Sequence, residues 1–343
     1  MKPILVARLF DVAARLPLRL LHLLGAVLGW LMYLLDGKYA ARLRENLAHE
    51  WQGRPDAEFH KVLNANVREM GKSICELPWI WRRPLDEVLG QVQACHGMEY
   101  VEAAQRRGKG IIFLTPHLGC FEIVSLYMAV RMPLTIMYRT PKLAWLDQVM
   151  RGGRLRGQTS LARADISGVR AMFKALKRGE AIGLLPDQVP GNGEGEWAPF
   201  FGRPAYTMTL VGRLAESSGA PVLLSYGERL PRGAGYVLHF TPLEFSPDIA
   251  VARQLNAALE QIIRACPAQY LWSYNRYKVP AGVQPPGVRA VTVRSRTQIP
   301  LVLLQLRKEV PLNAPSQEFS VPVLDVVPQT VIWSPTCASW LKL

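Results

Sequence analysis

The sequence predicts an α/β protein, with helices covering a mostly parallel sheet and a membrane-associated helix in front of it. Three observations predict this. Short apolar runs alternate with amphipathic stretches through the middle of the chain, and the N-terminal segment contains a long run without Asp, Glu, Lys or Arg. The third is composition, 49% hydrophobic and 20% charged residues, a globular balance that excludes wholesale disorder and collagen-like or coiled-coil architectures. At 343 residues the chain can hold one large domain with appendages.

The apolar run from Leu20 to Leu35, LLHLLGAVLGWLMYLL, would extend about 24 Å as a helix, slightly short of a bilayer core. Upstream, Arg8, Asp11, Arg15, Arg19 and His22 recur at three- and four-residue spacing, which puts them on one face and Leu5, Leu9, Val12 and Leu16 on the other. Pro17 is expected to kink or restart the helix. Residues 1–36 therefore read as an interfacial or short spanning anchor. No small-x-small cleavage site follows Leu35, and Lys38, Arg42 and Arg44 favour cytoplasmic retention of the downstream chain.

Further along, Ile111 to Thr115 is a buried strand ending at Pro116, and Phe121 to Val130 a helix. Pro133 to Tyr138 is strand-like. Ser167 to Gly179 reads as a capped amphipathic helix stopped by Lys177-Arg178-Gly179, and Ala181 to Leu185 as the next strand. A helix over Thr207 to Ser218, strands at Pro221 to Tyr226 and Tyr236 to Thr241, and a helix from Ile249 to Cys266 complete the alternation. Active-site loops then belong at the strand ends. After Pro280 the character changes: the last 62 residues hold 8 of the 26 prolines, with valine-rich runs and no helical pattern, so a poorly packed tail over 282–343 is expected.

The net charge of +14 calls for an anionic partner. Nucleic acid is disfavoured by the lack of any recognisable binding motif or aromatic-basic repeat. The 5 cysteines are odd in number and widely spaced, suggesting neither a disulfide framework nor a zinc site. Met70-Gly71-Lys72-Ser73 resembles the end of a phosphate-binding loop, but Asn66 stands where its first glycine is needed. Gly193-x-Gly195-x-x-Ala198 leads into Pro199-Phe200-Phe201 instead of opening a helix.

The strongest chemical signal is His117-Leu118-Gly119-Cys120-Phe121-Glu122. A histidine just past a buried strand, with a carboxylate in the first turn of the following helix, can form a dyad across the Gly119 turn. The carboxylate would fix the tautomer, and the free ring nitrogen would deprotonate a hydroxyl. Backbone amides near Gly119 are candidate oxyanion donors.

Around that block the chain resembles the lysophospholipid-type acyltransferases, specifically the late acyltransferases of bacterial lipid A biosynthesis. The resemblance runs over roughly residues 5–281. It is carried by Arg44-x-Asn46-Leu47, IIFLTPHLGCFE (Ile111 to Glu122), Tyr138-Arg139, Gly183-x-x-Pro186-Asp187-Gln188, Pro199-Phe200-Phe201-Gly202 and Trp272-x-Tyr274-Asn275-Arg276-Tyr277. It departs at Cys120 and Phe121, where many relatives carry asparagine and tryptophan, and in continuing past Tyr277.

The resemblance implies a glycerolipid acyltransferase-like catalytic domain over 37–281, at the cytoplasmic side of a bacterial inner membrane. It implies fatty acyl transfer from acyl carrier protein to a hydroxyl of a phosphorylated glucosamine lipid (a Kdo-lipid IVA type precursor), without metal or cofactor. His117 would be the general base and Glu122 its partner. Candidate substrate-binding residues are Arg139, Arg154, Asp187 and Arg203, with Arg156 and Arg163 as further cations for acceptor phosphates or the acidic carrier; Asp187 could instead organise the site. The alternatives are a related acyltransferase acting on a lysophospholipid or other glycolipid, and a noncatalytic basic membrane or nucleic-acid binding protein.

Overall fold

The computed structural model describes residues 2–141, 143–286, 290–293 and 301–304. The chain divides into two units, Met1–Val283 and Gln284–Leu343. In the second, Ala290–Val293 forms an antiparallel pair with Leu301–Leu304. The expected poor packing of 282–343 otherwise falls outside the described residues.

The first unit opens with seven helices and one strand: α1 (Lys2–Arg15), α2 (Leu18–Leu35), α3 (Gly37–Glu50), α4 (Asp56–Cys75), α5 (Leu77–Arg82), α6 (Leu85–Leu89), β1 (Val92–His96) and α7 (Met98–Arg106). Pro17 separates α1 from α2, as a residue without an amide donor must. Asp36 caps α3, its carboxylate accepting from the amides of Lys38 and Tyr39 at 3.0 Å each. The alternating region follows: β2 (Ile111–Leu114), α8 (Phe121–Ala129), β3 (Leu134–Tyr138), α9 (Ala144–Arg154), β4 (Thr159–Arg163), α10 (Ile166–Lys177) and β5 (Ala181–Leu184). Then come the hairpin β6 (Gly195–Phe200) and β7 (Arg203–Met208), α11 (Leu210–Ser218), β8 (Val222–Arg229), β9 (Tyr236–Leu243) and α12 (Val251–Ala265).

Seven strands form one sheet in the order β1-β9-β8-β2-β5-β3-β4. All pairs are parallel except β8 with β9, so the sheet is mostly parallel, as expected. Its faces are read off β2. Ile112 and Leu114 pack into one core with Leu43, Leu47, Val67 and Leu259, while Ile111 and Phe113 pack into another with Ile80, Val101, Ile123 and Leu126. Strand residues buried on both faces are what helices on both sides of a parallel sheet require.

Three expectations change. Asp165, not Ser167, caps α10, accepting from the amides of Ser167 and Gly168. The helix expected from Thr207 starts at Leu210, because Thr207 still belongs to the β6–β7 hairpin. That hairpin turns at Phe201-Gly202, both at positive φ, the backbone a two-residue hairpin loop demands. His22, expected on a charged outer face, is buried against Glu76 at 3.1 Å, whereas Leu9 and Val12 are exposed.

Candidate functional site

The site forms at the C-terminal ends of β2 and β5. These strands pair in parallel with Leu114 opposite Leu184, so His117 and Asp187, each three residues further on, arrive side by side. The loop between them is fixed at several points. The Thr115 amide extends the ladder to the Leu184 carbonyl at 2.9 Å, and the Thr115 and Ser225 hydroxyls share a 2.8 Å hydrogen bond. The Leu271 amide donates to the His117 carbonyl at 3.1 Å. Gly119 has φ +61°, and a Cβ there would lie 2.0 Å from the Gly227 carbonyl oxygen, so only glycine fits the turn.

Asp187 is buried and grips His117 twice. One carboxylate oxygen accepts the His117 backbone amide at 2.9 Å, and the other lies 3.0 Å from Nδ1. Burial works to raise the Asp187 pKa, but the His117 charge and hydrogen bonds outweigh it and hold it below the ordinary aspartate value. An ionised carboxylate only accepts, so Nδ1 is the donor, and Nε2 is the ring nitrogen left to exchange a proton. The Phe121 ring packs edge-on against the imidazole, centroids 4.9 Å apart.

The dyad expected between His117 and Glu122 is therefore not formed as a hydrogen-bonded pair. Glu122 is buried in the first turn of α8, where Arg154, at the end of α9, approaches through Nε at 3.0 Å from both carboxylate oxygens and through Nη2. Trp81 Nε1 donates to the same carboxylate at 3.3 Å. The reason is direction: the chain turns at Gly119 and starts α8 so that the Glu122 carboxylate meets Arg154 of α9 and Trp81 of α5 instead of the His117 ring. Burial works against the Arg154 charge, yet Glu122 outweighs it and the guanidinium pKa ends above its usual value.

The other candidates separate. Arg139 is exposed just after β3, near enough to Tyr274 for its charge to lower that phenol's pKa against the larger effect of burial. Arg203 pairs with Glu45 at 3.1 Å and lies over the Tyr277 ring, 4.2 Å from its centroid. Arg156 donates to the carbonyls of Ile80 and Arg83, tying α9's end to α5, and Arg163 pairs with Asp165 at the surface. The Gly119 and Cys120 amides, expected as oxyanion donors, are already used, donating to the carbonyls of Gln269 and Gly227 at 3.0 and 2.8 Å. A helix leaves its first amides without intrahelical acceptors, and at α8 these belong to Phe121 and Glu122.

Beside His117 a cavity of about 40 Å³ runs between α8 and the sheet. Phe121 and Thr115 stand on its wall, Phe113, Met128, Leu134, Ile136, Met137 and Leu184 make it apolar, and Glu122 with Arg154 forms its polar edge. Gly183 leaves the sheet side open. Among the described residues, no group of three His, Cys, Asp or Glu side chains could hold a metal ion.

The remaining motif blocks are scaffold. Asn46 donates to the carbonyls of Trp272 and Tyr274 at 2.7 and 3.0 Å, joining the Arg44-x-Asn46-Leu47 element to the terminal aromatic block. Arg276 is buried, donating to the Tyr206 carbonyl and the Thr207 hydroxyl. Met70 to Ser73 lie inside α4, with Gly71 packed against α2.

Residues 3–279 match the family model described as bacterial lipid A biosynthesis acyltransferase. The chain is 30% identical over 276 residues to the lipid A biosynthesis lauroyltransferase of Escherichia coli K12, covering 78% of this chain and 89% of that protein. It is 30% identical over 277 residues to a lipid A biosynthesis acyltransferase of Haemophilus influenzae, covering 77% and 86%. The E. coli lipid A biosynthesis myristoyltransferase is 24% identical over 265 residues, covering 73% and 81%.

Proposed function

The chain belongs to the bacterial lipid A biosynthesis acyltransferases, and from that premise we propose that it carries a fatty acyl group from acyl carrier protein to a hydroxyl of a phosphorylated, Kdo-lipid IVA type precursor at the cytoplasmic face of the inner membrane. The observation that supports this chemistry best is His117, oriented by the buried Asp187, beside an apolar cavity that shares Phe121 with it. Nε2 takes the proton as the acceptor oxygen attacks the thioester carbonyl. The tetrahedral intermediate then collapses, the carbon–sulfur bond breaks, and Nε2–H returns its proton to the departing thiolate. The thioester is already activated, so no metal or nucleotide is needed.

Asp187 holds the tautomer and supports the imidazolium as it forms. Glu122 acts through Arg154, neutralising a cation at the cavity edge and fixing the start of α8, whose first amides serve the oxyanion. The acyl chain enters the cavity. At about 40 Å³, against about 150 Å³ for a protein cavity that admits benzene, it must open further, and Met128 and Met137 are the flexible side chains to do so. Arg139, exposed after β3, is the cation placed to meet an acceptor phosphate.

The test is an acyl-transfer assay in membranes, using acyl carrier protein charged with labelled fatty acids and a tetraacylated lipid A precursor. Label reaches the precursor, and His117→Ala abolishes this in a folded protein. Undiminished transfer by that variant, or transfer only to lysophospholipid, would overturn the proposal.

A further inference from the structure

We propose that α2 does not cross the bilayer but lies in the plane of an anionic lipid leaflet, with one stripe of its surface welded to the catalytic domain and the opposite stripe immersed. This deepens the membrane placement proposed above and rests on the path of the helix. Leu18–Leu35 is apolar enough to span, and at 18 residues it extends about 27 Å. A spanning helix, however, must leave the domain that carries it, and α2 never does.

Its first turns bury Leu18 and Leu21 in the core beneath one face of the sheet, while Trp30, Met32 and Tyr33 near its end pack against the core of the other face. Between them α2 runs antiparallel to α4 at backbone contact. A Cβ on Gly25 would lie 2.6 Å from Lys72 Cα, and one on Gly29 2.0 Å from the Val67 carbonyl oxygen. His22 reaches Glu76, whose carboxylate also binds Arg229 and the Tyr236 hydroxyl. One residue after α2 ends, Asp36 caps α3, whose Leu43 and Leu47 are fully buried in the domain. Both ends of the helix thus belong to the same body, on the same side of any membrane.

The stripe left over is apolar. Leu20, Leu23, Leu24, Val27, Leu31 and Leu34 are all exposed and fall at one helical spacing, about 200° around the helix from the buried set. Exposed cations flank it: Arg8, Arg15 and Arg19 at one end, Lys38 and Arg44 at the other. A leucine row between arginines and lysines fits acyl chains beneath anionic headgroups.

Two measurements on the full chain decide it. Arg8→Cys and Lys38→Cys are introduced separately and treated with a membrane-impermeant maleimide, the unsubstituted chain giving the background from native cysteines. Both positions label in inverted inner-membrane vesicles and neither labels from outside intact spheroplasts; labelling from opposite sides would show a spanning helix and overturn the proposal. Second, the purified protein floats with phosphatidylglycerol-containing vesicles, and the triple variant L23E/V27E/L31E loses roughly a hundredfold or more in partitioning while its circular dichroism is unchanged. Undiminished flotation, or a self-associated dimer that ignores vesicles, would equally sink it. Neither readout involves acyl transfer, so their failure leaves the proposed reaction standing, and the reverse holds too.

Discussion

Replacing Asp187 by asparagine removes one charge and inverts the hydrogen-bonding sense of one atom. The two carboxylate oxygens accept from the His117 amide at 2.9 Å and from Nδ1 at 3.0 Å, and the amide is a donor in every state. The asparagine oxygen must therefore face the backbone, which turns its NH2 group toward Nδ1. That forces the ring to accept at Nδ1 and to carry its proton on Nε2, the atom proposed as the base. A positioned general base is worth about 10² to 10⁴ in rate, or about 3 to 5 kcal/mol in the barrier, and D187N should lose most of it. The assay is steady-state acyl transfer across a range of acceptor concentrations, with thermal unfolding as control. The expected result is a fall in kcat of at least a hundredfold with KM little changed. A folded D187N within threefold of the unsubstituted rate would refute the assignment of Asp187 as the residue orienting His117.

Three further outcomes rest on the same geometry. Glu122→Ala strands the largely buried Arg154 guanidinium, and breaking such a pair costs about 3 to 5 kcal/mol, to be read by urea denaturation; a stability loss below about 1 kcal/mol would contradict it. Gly183→Leu pushes a side chain into the cavity, so its preference among carrier-bound acyl chains should move to shorter ones, by about 0.8 kcal/mol for each methylene excluded; an unchanged chain-length profile would place the acyl group elsewhere. Asp187 and Glu76 both sit below their ordinary values, because the attraction of His117 and Arg229 respectively overcomes burial. Folded values lower than unfolded ones stabilise at pH above about 4, and that contribution is lost as the pH falls through the folded values. Melting temperature should drop on acidification below about pH 4 and drop less in Glu76→Gln; parallel curves would show that Glu76 does not carry the effect.

Much of the frame was legible because it depends on local pattern. The parallel strands β2 and β5 are continuous apolar runs, and Pro17, Gly119 and Gly179 punctuate the chain where backbone geometry requires. The partner of His117 was not legible from the spacing of His117 and Glu122, since sequence proximity says nothing about which way a first-turn carboxylate points. It could have been found by register: once β2 and β5 are paired, residues equally far past their ends must meet, and these are His117 and Asp187. The buried His22–Glu76–Arg229 group lay beyond reach because its members come from α2, the end of α4 and β8, at separations of 54 and 153 positions. Its trace in the sequence is His22, a polar residue inside the apolar pattern of α2.

Residues 268–274 form almost no ladder of their own, yet alternate carbonyls are held by asparagines: Ala268 and Tyr270 by Asn66, Trp272 and Tyr274 by Asn46. From its other edge the same segment fastens the backbone of the turn that carries the imidazole, through Leu271 to His117 and Gln269 to Gly119. The His117 ring is thus suspended between the sheet and the helices that bear α2, with little freedom to follow an incoming molecule. A centre mounted so stiffly discriminates by admission instead of accommodation, and selectivity falls to the walls of the groove beside it.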